Sequence, residues 1–299
     1  MFVLYYITGH FSRLKVQGNS GILSLCPIKL NTMLTLIIIF LSICLIYSLI
    51  EPFLLRNKYQ TLVNHKIPRS FDGKKIVFAS DIHHGPYFSR DRVRKFVDRV
   101  NALHPDIIIL GGDYVAYSRR YITPVFEELK KLRATRGVYA VIGNHDNYED
   151  GELTKKCMVT AGFHILDNAA EWIENDNERI RIGGIGDMWT QTQDLEPTLR
   201  DTTPNDFVIL VSHNPDFAER MPLNRIDLMV SGHTHGGQIT FFGLFAPYTA
   251  SKYGQKYREG RIKKGDTEII VSHGVGTILL PMRFFARPEV EVITLKSGK

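Results

Sequence analysis

The residues of this 299-residue chain that could do chemistry stand in five short clusters. They are Asp81-Ile82-His83, Gly112-Asp113, Gly143-Asn144-His145-Asp146, Ser212-His213 and Gly232-His233-Thr234-His235. Carboxylate, carboxamide and imidazole donors without a thiolate suit manganese, iron or zinc, and the dominance of imidazole argues against calcium. Taken singly, each cluster could equally be a turn or a helix cap. Their recurrence needs a common cause, and a shared metal centre supplies one.

Each cluster ends an apolar run of strand length: Ile76 to Ala79, Ile107 to Leu110, Val138 to Ile142, Phe207 to Val211 and Leu228 to Val230. Their β-branched content reads as buried strands, and the ends of buried parallel strands face the crevice where ligands bind. Helices must return the chain between them. Ser89 can cap one carrying Val93, Phe96, Val97 and Val100 at helical spacing, Thr123-Pro124 reads as the start of a second, and a third spans Glu152 to Ala161 and stops at Gly162. The second half is richer in short strand-like runs: Ile165-Leu166, Trp172-Ile173, Ile180 to Ile185, Ile269 to Ser272 and Val290 to Leu295. The expected fold is α/β, an α+β layering of two facing mixed sheets flanked by helices, in one catalytic domain over residues 72–297.

Composition sets what surrounds that domain. The apolar fraction of 44% and charged fraction of 23% are ordinary for a globular protein. The net charge is +6, but Arg13, Lys15, Lys29, Arg56 and Lys58 crowd into residues 1–60 against Glu51 alone, leaving the remainder near neutral. That distribution fits attraction to anionic lipid better than the basic face of a nucleic-acid enzyme, so no nucleic-acid partner is expected. Met33 to Ile50 is 18 residues without a charge, which reads as a transmembrane anchor. The expected organisation is a leader over 1–32, the anchor over 33–50 and a juxtamembrane linker over 51–71. Basic residues on the two sides of the anchor differ by one, leaning toward a cytoplasmic catalytic domain on a single-pass inner-membrane protein. Only Cys157 lies beyond the leader and anchor, so no disulfide is expected in the domain.

In order and spacing, the five clusters resemble those of the calcineurin-like metallophosphoesterases, over roughly residues 72–297. The apolar N-terminal stretch, the extended Gly232-His233-Thr234-His235-Gly236-Gly237-Gln238 and the ending Arg283-Phe284-Phe285-Ala286-Arg287-Pro288-Glu289 look like the small bacterial membrane-associated branch. Some members of that branch cleave the diphosphate of UDP-2,3-diacylglucosamine in lipid A biosynthesis. The resemblance implies two divalent ions, with manganese favoured and iron or zinc the alternatives. Asp81, His83 and His235 would hold one, Asn144, His213 and His233 the other, and Asp113 both. A shared carboxylate lowers the repulsion between ions ~3.5–4 Å apart, and water bound between them is the expected nucleophile.

His145 would stabilise the transition state or protonate the leaving oxygen, with Asp146 orienting its ring. His84 is left out of the ligand set as a solvent-facing residue, and His273 has a structural role at least as readily as one in the cleft. The resulting expectation is a membrane-anchored hydrolase of a phosphoester or diphosphate on a lipid-linked substrate. The alternatives are a nuclease or cyclic-nucleotide phosphodiesterase of the same superfamily, and a metal-binding scaffold without activity. Phe241 to Tyr248 is very apolar for a surface loop. Either it is a core strand and turn, or Phe242, Leu244 and Phe245 line an acyl-chain groove or dip into the bilayer.

Overall fold

Strand pairing in the computed structural model, which describes residues 30–298, builds two six-stranded mixed sheets. The first runs β1 (Arg56–Asn64), β12 (Glu289–Ser297), β2 (Lys75–Ala79), β3 (Ile107–Leu110), β4 (Val138–Ala140), β5 (His164–Ile165). The second runs β10 (Gly260–Lys264), β11 (Thr267–Val271), β9 (Leu228–Ser231), β8 (Val208–Val211), β7 (Glu178–Gly184), β6 (Ala169–Asn175). β2, β3, β4 and β5 are parallel, as are β7, β8, β9 and β11. The layered α/β architecture expected from the sequence is therefore present. Except for Leu30 to Thr32, the expected leader lies outside the described residues.

The alternation of a pleated strand divides the core. Ile76 and Phe78 of β2 and Ile107 and Ile109 of β3 point between the sheets, where Ile209, Val211, Leu228 and Val230 meet them. Val77, Ala79, Ile108 and Leu110 point the other way, onto helices α2 (Arg90–Asn101) and α3 (Ile122–Leu129). Ser89 caps α2, and Val93, Phe96, Val97 and Val100 are its buried face, as expected. α3 starts before Thr123-Pro124, with Tyr121 at its N-cap. A helix at Asn144–Thr160, α4, covers the expected one up to Ala161, which is its C-cap, and a kink at Asp150 separates that part from a turn starting at Asn144 itself.

The expected linker over 51–71 is corrected by β1. Arg56–Asn64 pairs in parallel with β12 along its whole length. Arg56 lies 2.7 Å from the Glu289 carboxylate, and Lys58 3.1 Å from Glu289 and 3.0 Å from Glu291. Both glutamates are buried, so the charges of β1 neutralise a face of β12 that alternation alone marks as solvent-facing.

The chain divides into two units at Ser42 and Ile43. An apolar helix, α1 (Leu30–Ile50), runs through the division, and its side chains in the first unit are exposed. Within the second unit the last turns of α1 are held by named contacts. The Arg283 N–H donates to Ser48 O at 2.9 Å, Phe285 N–H donates to the Glu51 carboxylate at 2.7 Å, and Tyr47 packs on Phe284 and Phe285. Arg92 lies over the Phe53 ring and donates to Pro52 O.

Candidate metal centre

Strand ends deliver the site. Asp81 and His83 follow β2, Asp113 follows β3, Asn144 opens α4 after β4, His213 follows β8, and His233 and His235 follow β9. Asp81, His83, Asp113, His233 and His235 all take left-handed backbone angles, with φ of 54°, 48°, 56°, 70° and 53°. That conformation costs a non-glycine residue about 1–2 kcal/mol, so strain is concentrated on the residues whose side chains converge. Two glycines make room for them. A Cβ at Gly232 would lie 2.2 Å from an Asp81 carboxylate oxygen, and one at Gly143 would lie 2.2 Å from Asp113 Oδ1.

Two donor groups result, Asp81 with His83 and His235, and Asp113 with His213 and His233. In the first, His83 Nε2 and His235 Nε2 are 3.1 Å apart, with Asp81 Oδ1 at 3.9 Å from the former and 3.5 Å from the latter. In the second, His213 Nε2 lies 3.2 Å from His233 Nδ1, 3.2 Å from Asn144 Oδ1 and 3.3 Å from Asp113 Oδ2. The same Asp113 oxygen is 3.6 Å from His83 Nε2, so one carboxylate reaches both groups.

The electrostatics suit cations. Burial holds His83 and His233 down at about 3 and His235 well below the ordinary imidazole range, which keeps ring lone pairs available. Burial opposes ionisation of Asp113, and the imidazoles of His213 and His83 outweigh it and hold the carboxyl below its ordinary range. His213 is raised despite its burial by that same Asp113. Burial lifts Asp81 to about 6. Among the described residues no Lys or Arg pairs directly with Asp81 or Asp113. Two buried carboxylates facing mostly neutral imidazoles are a donor set that fits divalent metal ions.

Around the donors, several expectations change. His145 N–H donates to Asp113 Oδ1 at 2.8 Å, and its ring stands edge-on to His83. Asp146 does not orient that ring. Its carboxylate accepts from the backbone N–H groups of Asp113 at 2.7 Å, Tyr114 at 2.8 Å and Gly143 at 2.9 Å, so it fixes the loop that carries Asp113. His84 is buried rather than solvent-facing, and its Nδ1 contacts Phe88 O at 2.7 Å. His273 is structural, bonded to Arg287 O and to the Glu259 carboxylate.

A cavity of about 400 Å³ opens beside the donors, with Asp113, Asn144, His145, His233 and His235 at one end. Trp189, Ile239, Pro247, Tyr248, Ile278, Leu279 and Leu280 make up much of the rest. Phe242, Leu244 and Phe245 do not line it. They are exposed to 39%, 80% and 52%, which also excludes the core reading, and Phe242 packs on Phe284 and Phe285. The sequence reading missed Trp189, whose ring meets His233 edge-on at 4.4 Å, because no strand-end pattern marks it. It also missed Arg283. This fully buried guanidinium donates to the carbonyls of Gly276, Ala286 and His273 at 2.6–2.7 Å, and Nη2 lies 3.4 Å from His235 Nδ1. Burial lowers it to about 10.

Residues 74–237 match the sequence profile of the calcineurin-like phosphoesterases. The chain belongs to that family. It is similar to the uncharacterized metallophosphoesterase YkuE of Bacillus subtilis (strain 168), with 35% identity over 252 residues, covering 83% of this chain and 88% of the relative. Phosphodiesterase YaeI of Escherichia coli (strain K12) is 30% identical over 241 residues, covering 78% and 87%. A Danio rerio transmembrane protein with metallophosphoesterase domain is 30% identical over 246 residues, which cover 78% of this chain and 55% of that protein. This metallophosphoesterase is thus a metal-dependent phosphoester hydrolase with two candidate metal-binding groups, and its α1 is long and apolar enough to cross a membrane.

Proposed function

We propose that this metallophosphoesterase is a membrane-anchored hydrolase of a phosphodiester or diphosphate bond in a lipid-linked substrate, UDP-2,3-diacylglucosamine being the compound of that class to try first. Asp81, His83 and His235 would hold one ion and Asn144, His213 and His233 the other, with Asp113 within reach of both groups and manganese the favoured metal. Divalent ions bound there would supply Lewis acidity toward a phosphoryl group and make water ionise near neutral pH. The side chains do the rest. His145, on the cavity wall beside Asp113, would donate a proton to the leaving oxygen, and its backbone N–H bond to Asp113 Oδ1 ties it to the donor group. Asp146 keeps the Asp113 loop in register, and Trp189 covers His233 against bulk water. α1 anchors the chain, with the catalytic domain on the cytoplasmic side.

The observation that carries the lipid assignment is the cavity's composition. Its donor end gives way to Ile239, Pro247, Tyr248, Leu279 and Leu280, an apolar wall suited to an acyl chain, at about 0.8 kcal/mol for each methylene buried. Among the described residues no Lys or Arg lines it, whereas a groove for a nucleic-acid strand tracks phosphates with cations. The test compares metal-loaded full chain on UDP-2,3-diacylglucosamine, its deacylated counterpart, bis-p-nitrophenyl phosphate and single-stranded DNA. The reading requires the highest kcat/KM on the diacylated compound. Equal rates on the deacylated compound, or faster cleavage of DNA, would overturn it, and no turnover of any substrate would favour the inactive scaffold.

A further inference from the structure

We propose that the loop Phe241 to Tyr248, together with Leu279 and Leu280, is a second membrane contact that seats the cavity mouth on the bilayer crossed by α1. The proposal rests on α1 being embedded, and it does not depend on the identity of the substrate.

Three observations carry it. First, the side chains are apolar and exposed without being packed as core: Phe241 to 64%, Leu244 to 80%, Phe245 to 52%, Tyr248 to 71% and Leu279 to 74%. Apolar surface gathered in this way marks a contact with a partner or a membrane. Second, the two segments are free of exposed charge. Residues 236–251 contain no Asp, Glu, Lys or Arg, and neither do residues 274–282. The cation that follows, Arg283, is fully buried on backbone carbonyls. A protein partner's surface would ordinarily be met with a polar rim, whereas a bilayer interior asks for its absence.

Third, the patch is continuous with the end of α1. Tyr47 of that helix packs on Phe284 and Phe285 with ring centroids 5.8 and 5.4 Å away, Phe242 packs on the same two rings at 5.3 and 5.2 Å, and Phe241 packs on Phe242 at 5.3 Å. Backbone bonds reinforce the chain of rings, with Arg283 N–H donating to Ser48 O and Thr240 N–H to Phe284 O. A helix whose last turn is fixed to this patch brings it to the membrane surface, where aromatic residues are favoured. Tyr248, Leu279 and Leu280 belong both to the exposed patch and to the cavity wall, so an acyl chain could pass from the leaflet to the donor end without crossing water.

The experiment measures depth. Single cysteines replace Leu244, Phe245 and, as a control among charged side chains, Lys130, in the full chain with Cys26, Cys44 and Cys157 changed to Ser. Each is spin-labelled and reconstituted into vesicles of phosphatidylethanolamine and phosphatidylglycerol. Labels at 244 and 245 should be at least threefold more accessible to oxygen relative to a water-soluble nickel reagent than the label at 130. Water-like accessibility at 244 and 245 in vesicles overturns the proposal. Strong dipolar broadening between labels at 244 or 245 of two chains also overturns it, by pointing to a second copy of the chain. Loss of lipid-substrate preference with the depth contrast intact would instead count against the substrate reading alone.

Discussion

Asp113 Oδ2 stands 3.3 Å from His213 Nε2, and no other carboxylate oxygen of the two donor groups is as near to a histidine ring nitrogen. Because the same oxygen reaches His83 at 3.6 Å, removing it disconnects both groups. Asp113→Ala should lose bound metal and activity together, falling to background on bis-p-nitrophenyl phosphate, as read by elemental analysis and initial rates. A variant with normal metal content and near-normal turnover would show that Asp113 is not shared.

His145 donates no side-chain nitrogen to either group, so its loss should separate chemistry from metal binding. His145→Ala is expected to keep its metal content and to lose roughly 10²- to 10⁴-fold in kcat, the range for acid–base groups. A substrate with a much better leaving group should recover part of the loss. Metal depletion in this variant would make His145 a ligand.

Gly232 has its place because a methyl group has none. Its Cβ would meet Asp81 Oδ2 and Ser80 Oγ at 2.2 Å, and both belong to a buried loop that cannot yield freely. Gly232→Ala should weaken metal affinity at the Asp81 group more than at the His213 group, leaving circular dichroism unchanged. Two unequal steps in a metal titration would record it, and wild-type affinities would contradict the packing argument.

Asp167 supplies a pH effect away from the donors. Burial raises its carboxyl from an ordinary 3.8 to about 6, against one backbone N–H from Ile142 and a Lys155 ammonium 3.9 Å away. Since the folded state favours the neutral form, its contribution is fully present below about pH 4 and is lost as pH rises through about 6. Asp167→Asn keeps the acceptor and removes the titration. Its stability relative to the parent should therefore rise by roughly 2–3 kcal/mol between pH 4 and pH 7 in denaturant unfolding. A difference that is flat with pH would mean that the carboxyl is ionised throughout.

The parts legible in the sequence were those where burial is symmetrical. β2, β3, β8 and β9 are apolar on both faces because one side meets the second sheet or its counterpart and the other meets helices or loops, so each appears as an unbroken run that stops at its donor. β1 was hidden for the opposite reason. Arg56, Lys58 and Gln60 look solvated until Glu289 and Glu291, far away in sequence, are brought beside them. Asp146 was misread because adjacency to His145 suggested a side-chain pair. In a helix starting at Asn144 it occupies the third position, where a carboxylate turns back onto open N–H groups. Phe242, Leu244 and Phe245 were singled out as lining a groove or dipping into the bilayer, whereas the apolar wall of the cavity is built from Ile239, Pro247, Tyr248 and Ile278 to Leu280. Which side of a loop faces a cavity is set by contacts with Ile278 to Leu280 that sequence spacing does not record.

Phosphoester hydrolysis is proposed to need two ions held by these strand ends. The most direct test is a titration of the metal-stripped full chain with manganese, following bound metal and bis-p-nitrophenyl phosphate turnover in the same samples. Turnover should be absent without metal and reach its plateau as occupancy approaches two ions per chain. Full activity at one ion per chain, or activity in the stripped protein, would contradict it.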